Sequence, residues 1–344
     1  MRWGEAAAGY DKIVVTCMFF SIRAGLGFLC VSVALGQVVA PTKSLRFQVS
    51  NPEPKGTFLE QAKRAESKIK GKVYRYRAFV RPDADIGLLN LTLRAPVLSV
   101  IRVASMPHPD QKILLEAVTS GGRNPHGLVF ISGQGVGKNE VLPKVSPLAQ
   151  TAFDNIDKAL KAVQLTAADV LTVTCYLSAL GDVGEVQAMA MMRYPSATRN
   201  HLQIPMGYGR ALVECEAVAR AKSAVGFVSP EGLAKSPNFT HVAGISSNNM
   251  VWSGLHTAAK CDEAGVRKMF QSLAAALQKH GADAKNVAFS YLYPTTQEST
   301  DLTRNFRFDV YSKQNPPAST LIPFAGVGDK KACTAVEVAA AVAP

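Results

Sequence analysis

The chain has 344 residues, of which 47% are hydrophobic and 19% are charged. This composition is typical of globular proteins and excludes a disordered or fibrous chain. The length predicts two to three domains and excludes a single small module. The formal net charge is +12, from 38 basic and 26 acidic residues, which favours contact with anionic partners.

An apolar segment, residues 13–40, lies near the start of the sequence and contains one charge, Arg23. Read from Met18, it resembles an export signal, with a basic start at Arg23 and an apolar run over residues 24–35. We therefore expect residues 1–40 to be a signal peptide, and the protein to be periplasmic or secreted. The alternative is an uncleaved membrane anchor, because the last seventeen residues of the segment reach the lower limit for spanning a bilayer.

The positive charge is concentrated in residues 43–81, which hold eleven Lys and Arg, from Lys43 to Arg81, against three Glu. Such a block can contact an anionic surface by neutralising phosphates or lipid headgroups. The alternative, which we favour, is a solvated helix face followed by a strand whose basic side chains point to water. RNA binding is a weaker alternative, since no pair of general-base histidines supports RNA cleavage.

The six cysteines and six histidines show no metal-binding spacing, because the sequence has neither a CxxC pair nor an HExxH motif. We therefore expect no metal site and no cofactor. Four cysteines follow residue 40 and lie in segments that read mostly as strands or helices. We expect these four to be small buried apolar residues. They are Cys175, Cys215, Cys261 and Cys333.

Three segments share one pattern, an extended run, a short loop and a β-rich run that ends near a Glu-Ala pair or a similar sequence. They are residues 96–119, 198–221 and 317–342. Self-similarity at a roughly constant spacing is the signature of repeated structural units. The sequence therefore predicts three repeats.

Helices and strands recur in the same order within two of these repeats, as judged from apolar periodicity. The middle repeat is predicted to contain a strand at 127–134, a helix at 146–163, a strand at 169–180 and a helix at 183–194. The third repeat is predicted to contain a strand at 249–256, a helix at 265–280, a strand at 286–294 and a helix at 303–312. In the abbreviated first repeat we predict a helix at 58–71 and a strand at 72–80. These are ββαβαββ-like units of the α+β class.

The Gly-rich residues 133–138 resemble a phosphate-binding loop but lack Walker spacing and a helix directly after them. We expect them to form a hairpin turn.

The middle repeat carries SGQ after its first strand, then AFDNIDKALKAVQLTAADVLTVTCYL, and closes on VECEAVA. Together these resemble the Rid (YjgF) family of reactive-intermediate deaminases. The resemblance implies a chorismate-mutase-like fold and trimers with clefts between neighbouring subunits. It also implies that an Arg holds the carboxylate of a 2-imino or 2-enamino acid, which is hydrolysed to a 2-keto acid and ammonia.

The resemblance assigns the catalytic roles to Arg199 and Glu214, which stand fifteen residues apart as the family's Arg and Glu do. The Arg would hold the carboxylate in two parallel hydrogen bonds, and the Glu would orient or deprotonate the attacking water. The substrate-binding residues that we expect beside them are Ser132, Gly133, Gln187 and His201.

If residues 206–210 turn a hairpin, the two-residue period of a strand places Arg199, His201, Glu214 and Glu216 on one sheet face. The alternative for Arg199 and Glu214 is a surface ion pair between strands, worth about 0.5 kcal/mol.

The other repeats depart from the family pattern. Leu98 and Ser319 stand at the Arg position of the first and third repeats. Leu114 stands at the Glu position of the first repeat, whereas Glu337 remains in the third. We therefore expect one productive cleft, built around Arg199 and closed by a neighbouring repeat.

The predicted organisation is a degenerate repeat at 44–120, a repeat with the Arg and Glu site at 121–222, and a repeat lacking the Arg at 223–344. We expect them to pack about a pseudo-threefold axis, as a monomeric pseudo-trimer or a low-order homo-oligomer. The leading function is hydrolytic deamination of small 2-imino or 2-enamino acids. One alternative is a protein of the same fold that binds a small carboxylate without catalysis or acts as a scaffold. The other is an RNA-binding or endoribonuclease-like protein.

Overall fold

The computed structural model describes residues 36–87, 89–205 and 210–343. The strands are β1 (Gln37–Pro41), β2 (Leu45–Ser50), β3 (Val73–Val80), β4 (Val97–Arg102), β5 (Ile113–Ser120), β6 (Leu128–Lys138), β7 (Val170–Leu177), β8 (Thr198–Gln203), β9 (Ala211–Arg220), β10 (Phe227–Val228), β11 (Val242–Ile245), β12 (Asn249–Ser253), β13 (His256–Ala258), β14 (Ala282–Leu292), β15 (Ala318–Leu321), β16 (Gly326–Val327) and β17 (Thr334–Val342). The helices are α1 (Phe58–Ser67), α2 (Leu89–Thr92), α3 (Ser146–Ala162), α4 (Val183–Arg193), α5 (Glu263–Lys279) and α6 (Gln297–Phe306).

The strands form three mixed sheets, and each sheet contains a core of three strands with the same pairing. The sheet orders are β16-β4-β3-β5-β2, β10-β11-β6-β9-β7-β8 and β1-β12-β17-β14-β15, with β13 also paired to β17. In each core the central strand, β3, β7 or β14, pairs in parallel with the strand that follows the next helix. The central strand also pairs antiparallel with β5, β9 or β17. The protein is therefore of mixed α+β class, as predicted.

Strands from a different part of the chain complete each sheet. β10 and β11 lie in the range predicted to begin the third repeat, yet β11 pairs with β6 of the middle sheet. β16 pairs with β4, and β1 pairs with β12. Because an unpaired strand edge exposes backbone hydrogen-bonding groups, these pairings satisfy three edges at once. All three sheets belong to one compact unit of the chain.

The last residues of the predicted signal peptide (residues 1–40), the leader, belong to this fold. Residues 37–40 lie in β1, and Ala40 is fully buried, so this part of the leader prediction is wrong. The rest of the predicted leader, residues 1–35, lies outside the described residues. No described helix is long and apolar enough to cross a membrane.

Most predicted helices form where the apolar period places them. The helix predicted at 146–163 is α3, which buries Ala149, Phe153 and Ile156. The helix predicted at 303–312 forms but is displaced, because α6 begins at Gln297, where the hydroxyl of Thr296 accepts the N–H of Ser299 and caps the helix.

The turn predicted at residues 133–138 is also wrong. β6 continues to Lys138, and its last residues pair with β9. The ladder is interrupted by a register shift between Ile131 and Gln134.

Each sheet packs its helices on one face and the other sheets on the opposite face. The helix α3, for example, covers a cluster formed by β6, β7 and β9. A central cluster contains residues of all three sheets, among them Phe79, Tyr176 and Phe289. Alternation along each strand separates these two sets of apolar side chains.

Arg75 and Arg77 of β3 contradict the prediction that the basic strand points to water, because each is only 3% exposed. Both lie on the same strand face as Phe79, which belongs to the central cluster. The burial of β3 on both faces therefore takes two arginines of the basic block into the interior. Other members of the block, such as Lys63 and Lys72, are exposed as predicted.

Two disulfides join the four cysteines, Cys175 with Cys215 and Cys261 with Cys333. The expected burial holds for the first pair and for Cys333, whereas Cys261 is exposed. Cys175 and Cys215 stand directly opposite each other on the neighbouring strands β7 and β9. No local sequence pattern indicated these pairings, since the bonded residues are 40 and 72 positions apart.

Candidate functional site

An open cleft of about 200 Å³ lies beside β8 and α4 and faces residues of the chain segment that forms the first sheet. Backbone pairing fixes β8 there, because the N–H of Gln203 donates to the carbonyl of Ser105 (3.0 Å) and the N–H of Ala104 donates to the carbonyl of Gln203 (2.7 Å). We call this space the Arg199 cleft. Its lining residues are Asn51, Pro107, Leu114, Gln187, Met191, Arg199 and His201.

Arg199 is held in place by the loop that precedes it. Its Nη1 donates to the carbonyls of Tyr194 (2.7 Å), Pro195 (3.2 Å) and Ala197 (2.7 Å). Among the described residues, no hydrogen bond reaches its Nη2 or Nε, and no carboxylate pairs with it. A guanidinium has five N–H donors, so the Nε and Nη2 edge stays free to grip a carboxylate in two parallel bonds.

His201 lies two residues further along β8, on the same strand face as Arg199. It is 5% exposed, and its Nε2 has no hydrogen-bond partner among the described residues. Burial, together with the positive charge of Arg199, lowers the pKa of His201 to about 4. The ring is therefore neutral at pH 7 and is a weak proton acceptor there.

The rest of the cleft is amide and apolar. Gln187 and Met191 stand one turn apart on α4 and are exposed, while the buried Leu114 of β5 forms part of the opposite wall. None of the described residues that line the cleft is acidic. The arrangement can bind a small monocarboxylate, and it offers no carboxylate to activate water.

Glu214, the predicted catalytic partner of Arg199, lies elsewhere. β7 separates β8 from β9, so these two strands do not form the expected hairpin; residues 206–209 of the proposed turn lie outside the described residues. Arg199 pairs with Val173 of β7, whereas Glu214 pairs with Tyr176. Positions 173 and 176 point to opposite sheet faces, and the prediction that Arg199 and Glu214 share a face is therefore wrong.

Glu214 is instead enclosed against the third sheet. The backbone N–H of Leu321 on β15 donates to its carboxyl group. Burial and the nearby charge of Glu216 raise the pKa of Glu214 to about 8, with the Leu321 hydrogen bond opposing the shift. Glu214 is therefore mostly protonated at pH 7, which disfavours the carboxylate-base role that the sequence predicted.

Ser132 and Gly133 accompany Glu214 rather than Arg199. A Cβ on Gly133 would collide with Oε1 of Glu214, so glycine is needed for the carboxyl to fit. The hydroxyl of Ser132 donates to the carbonyl of Thr240 and accepts the N–H of Ser319 (3.0 Å). The six predicted site residues thus divide between two places: Arg199, His201 and Gln187 in the cleft, and Ser132, Gly133 and Glu214 at β15.

Strand register shows which positions of the three sheets correspond. Ser319 pairs with Ser290 in the third sheet, and Arg199 pairs with Val173 at the corresponding place in the middle sheet. Ser319 and Arg199 are therefore aligned, as predicted. Glu337, however, pairs with Tyr291, which matches Thr174 and lies two residues before Tyr293, the position that matches Tyr176. Its counterpart in the middle sheet is Glu216, and the predicted match of Glu337 with Glu214 is wrong.

Sequence reasoning missed a second charged cluster, buried between the three sheets. Arg75 pairs with Glu337, while Arg77 pairs with Glu116 (2.6 Å) and Glu216 (2.8 Å). We call these five side chains the ionic centre. A cavity of about 20 Å³, room for one water molecule, adjoins four of them. The only signal in the sequence was the presence of two arginines at alternate positions of an otherwise apolar strand.

Each glutamate of the ionic centre accepts a hydrogen bond from a different sheet. Glu116 accepts from Asn200 (2.9 Å), Glu216 accepts from Thr320, and Glu337 accepts from Ser99. The donors stand on the strands β8, β15 and β4, which are the parallel partners in the three cores. The bonds therefore run in a closed cycle from one sheet to the next.

The pKa values of two of these glutamates move in opposite directions. Burial alone would raise the pKa of Glu116, but Arg77 and the hydrogen bonds of Asn200 and Thr174 lower it below its ordinary value. For Glu216 the effect of burial outweighs that of Arg77, and its pKa is raised. Three acidic groups and two arginines leave one negative charge in excess, which a proton can neutralise.

No group of three or more potential metal ligands occurs among the described residues.

Neither a protein-family model nor a curated protein matches this sequence. Solved structures similar to the chain include members of the YjgF family. One from Neisseria meningitidis is 23% identical, covers 30% of this chain and 85% of its own, and has a TM-score of 0.24. One from Mycobacterium tuberculosis is 25% identical, with coverages of 27% and 79% and a TM-score of 0.23. A chorismatase is 11% identical, with coverages of 87% and 99% and a TM-score of 0.26.

Proposed function

We propose that this protein binds a small monocarboxylate in the Arg199 cleft and does not hydrolyse it. The observation that carries the proposal is the state of Arg199, whose Nη1 is fixed by three carbonyls while its Nε and Nη2 edge has no partner in the described part of the chain. An arginine that is already oriented in this way loses little conformational freedom when the ligand binds, which favours binding.

The surroundings of Arg199 support a ligand with one negative charge. No second cation lines the cleft within the described residues, so a dicarboxylate would leave one charge unpaired. Leu114, Met191 and Pro107 offer apolar contacts to a short chain, and Gln187 and Asn51 offer amide groups at the rim. A monocarboxylate of a few carbon atoms satisfies both requirements.

Hydrolytic deamination has less support than binding, because its water-handling acid is missing from the cleft. Glu214 lies on the opposite sheet face and carries a proton at pH 7. His201, the titratable neighbour of Arg199, has a pKa of about 4. A base this weak removes a proton from water inefficiently near neutral pH.

We also infer that the three sheets are three repeats of one Rid-like unit around a pseudo-threefold axis. The identical pairing of the three cores supports this inference. So does the closed cycle of hydrogen bonds to Glu116, Glu216 and Glu337. In this arrangement the Arg position of one unit lies beside the Glu position of the neighbouring unit. Because this chain has one Arg and one Glu at these positions, Arg199 and Glu214 can lie at two different contacts between units.

Isothermal titration of butanoate into the full chain tests the binding proposal, with butanamide as the uncharged control ligand. Arg199→Lys keeps the charge but not the two-pronged grip, and we expect it to weaken butanoate binding about tenfold. Lys285→Ala, which removes an exposed charge on β14, is the matched control and should leave affinity unchanged. Failure of butanoate to bind at millimolar concentration, or equal binding of butanamide, would contradict the proposal.

Ammonia release from freshly generated 2-iminopropanoate separates binding from deamination. We expect the protein to leave the rate in buffer unchanged. Acceleration that Arg199→Lys abolishes would instead establish the deaminase.

A further inference from the structure

The Cys175–Cys215 disulfide adjoins the Arg199 cleft. Cys175 on β7 is the register partner of His201 on β8, and it is also the partner of Cys215 on β9. The three side chains therefore form a row across one sheet face, and the Cα atoms of the two cysteines are 4.1 Å apart. The outer member of this row, His201, lines the cleft.

The same disulfide closes the segment that supplies half of the cleft. Its two cysteines are 40 positions apart, and Gln187, Met191, Arg199 and His201 all lie between them. A covalent bond at the base of such a loop restricts how α4 and β8 can shift. The second disulfide, Cys261–Cys333, encloses none of the lining residues of the cleft.

Opening the disulfide would place a hydrogen-bond donor beside His201. The sulfurs of a disulfide carry no hydrogen, whereas the Cys175 thiol would be a hydrogen-bond donor. It would stand beside an imidazole whose Nε2 has no partner in the described structure. The oxidised state therefore offers His201 no donor from this position, and the reduced state offers it a hydrogen bond within the sheet.

From these observations we propose that the Cys175–Cys215 pair is a redox-sensitive modification site that controls ligand binding in the Arg199 cleft. The proposal rests on the function proposed for that cleft. The reductant is a dithiol, which enters through local opening because both sulfurs are buried. The S–S bond breaks, the two dithiol sulfurs join in a new disulfide, and the two dithiol protons end on Sγ of Cys175 and Cys215.

The test compares butanoate binding by the oxidised full chain with binding after dithiothreitol treatment, with mass spectrometry of alkylated peptides to report which disulfides are open. We expect opening of Cys175–Cys215 to weaken binding about fivefold, because freed side chains must be ordered again by the ligand. The double variant Cys175→Ala/Cys215→Ala should bind as weakly without reductant. The matched control, Cys261→Ala/Cys333→Ala, should bind normally and keep the response to reductant.

A measurement without ligand separates this proposal from the binding proposal. The imidazole NMR signals of His201 should shift when the bond opens in the Cys261→Ala/Cys333→Ala protein, while those of the exposed His126 should not. Absence of butanoate binding in the oxidised protein would contradict the binding proposal alone, provided that the His201 signals respond. Unchanged His201 signals and unchanged affinity after verified opening would overturn the redox proposal, as would two free thiols in the oxidised preparation.

Discussion

Two arginine sites of this protein differ in what satisfies the guanidinium group. Arg77 is buried and is paired with Glu116 and Glu216, which come from two different sheets. Arg199 is half-buried and bonded to carbonyls of its own loop, and it has no acidic partner among the described residues. The comparison indicates that the first arginine holds the sheets together, whereas the second is prepared to meet a ligand.

The buried charge also differs in sign between the two places. The region around Arg77 contains more acidic groups than arginines, and Glu214 nearby keeps its proton at pH 7. The cleft contains Arg199 with the neutral His201. Added negative charge is therefore costly in the first region and favourable in the second.

The largest expected effect comes from Arg77→Met, which leaves Glu116 and Glu216 without their shared cation. Because an uncompensated buried charge is strongly unfavourable, we expect the free energy of unfolding to fall by about 3–5 kcal/mol. Urea denaturation at pH 7 measures the change, with Lys285→Ala as the exposed control at about 0.5 kcal/mol or less. A loss below about 1 kcal/mol for Arg77→Met would remove the distinction between the two arginines.

An intermediate effect is expected for Glu214→Gln, and it depends on pH. The folded carboxyl has a pKa of about 8, above its ordinary value of 4.5, so unfolding releases a proton between these pH values. Stability contributed by the neutral form is complete below pH 4.5 and is lost as the pH rises toward 8. Glu214→Gln should remove this slope and stabilise the protein by up to about 3 kcal/mol at pH 7.

Urea denaturation of wild type and Glu214→Gln at pH 4.5, 6, 7 and 8 checks the sign. Parallel pH profiles for the two proteins would show that Glu214 titrates near its ordinary pKa.

The smallest effect on stability is expected for Arg199→Lys. The residue is half-buried, and a lysine can replace one of its carbonyl contacts, so we expect a loss of about 1 kcal/mol in the free energy of unfolding. Thermal and urea denaturation measure it on the same protein used for butanoate titration. A loss as large as that of Arg77→Met would mean that Arg199 is structural.

Local sequence patterns predicted the elements that depend on nearby residues. The apolar period of α3 and the β-branched run of β7 were sufficient to place both. The apolar pattern could not show which strand lies next to β8 in the sheet. That neighbour is β7, which precedes β8 in the chain, and not β9, which follows it. That single pairing decides which face Arg199 occupies, and the predicted catalytic pair failed for this reason.

The basic block shows the same limit. Eleven cations in residues 43–81 read as a solvated surface, and the exposed lysines agree with that interpretation. Arg75 and Arg77 do not, since their partners Glu116, Glu216 and Glu337 come from distant parts of the chain. Local composition carries no information about such partners.

The sequence by itself determined the mixed α+β class, most helices and the alignment of Arg199 with Ser319, because these follow from periods and spacings within short segments. The tertiary structure alone decided that Arg199 and Glu214 face different sheets, that the Cys175–Cys215 disulfide lies beside His201, and that five charges meet in the interior. Strand order and packing between sheets bring together residues more than a hundred positions apart, and no local pattern encodes that proximity.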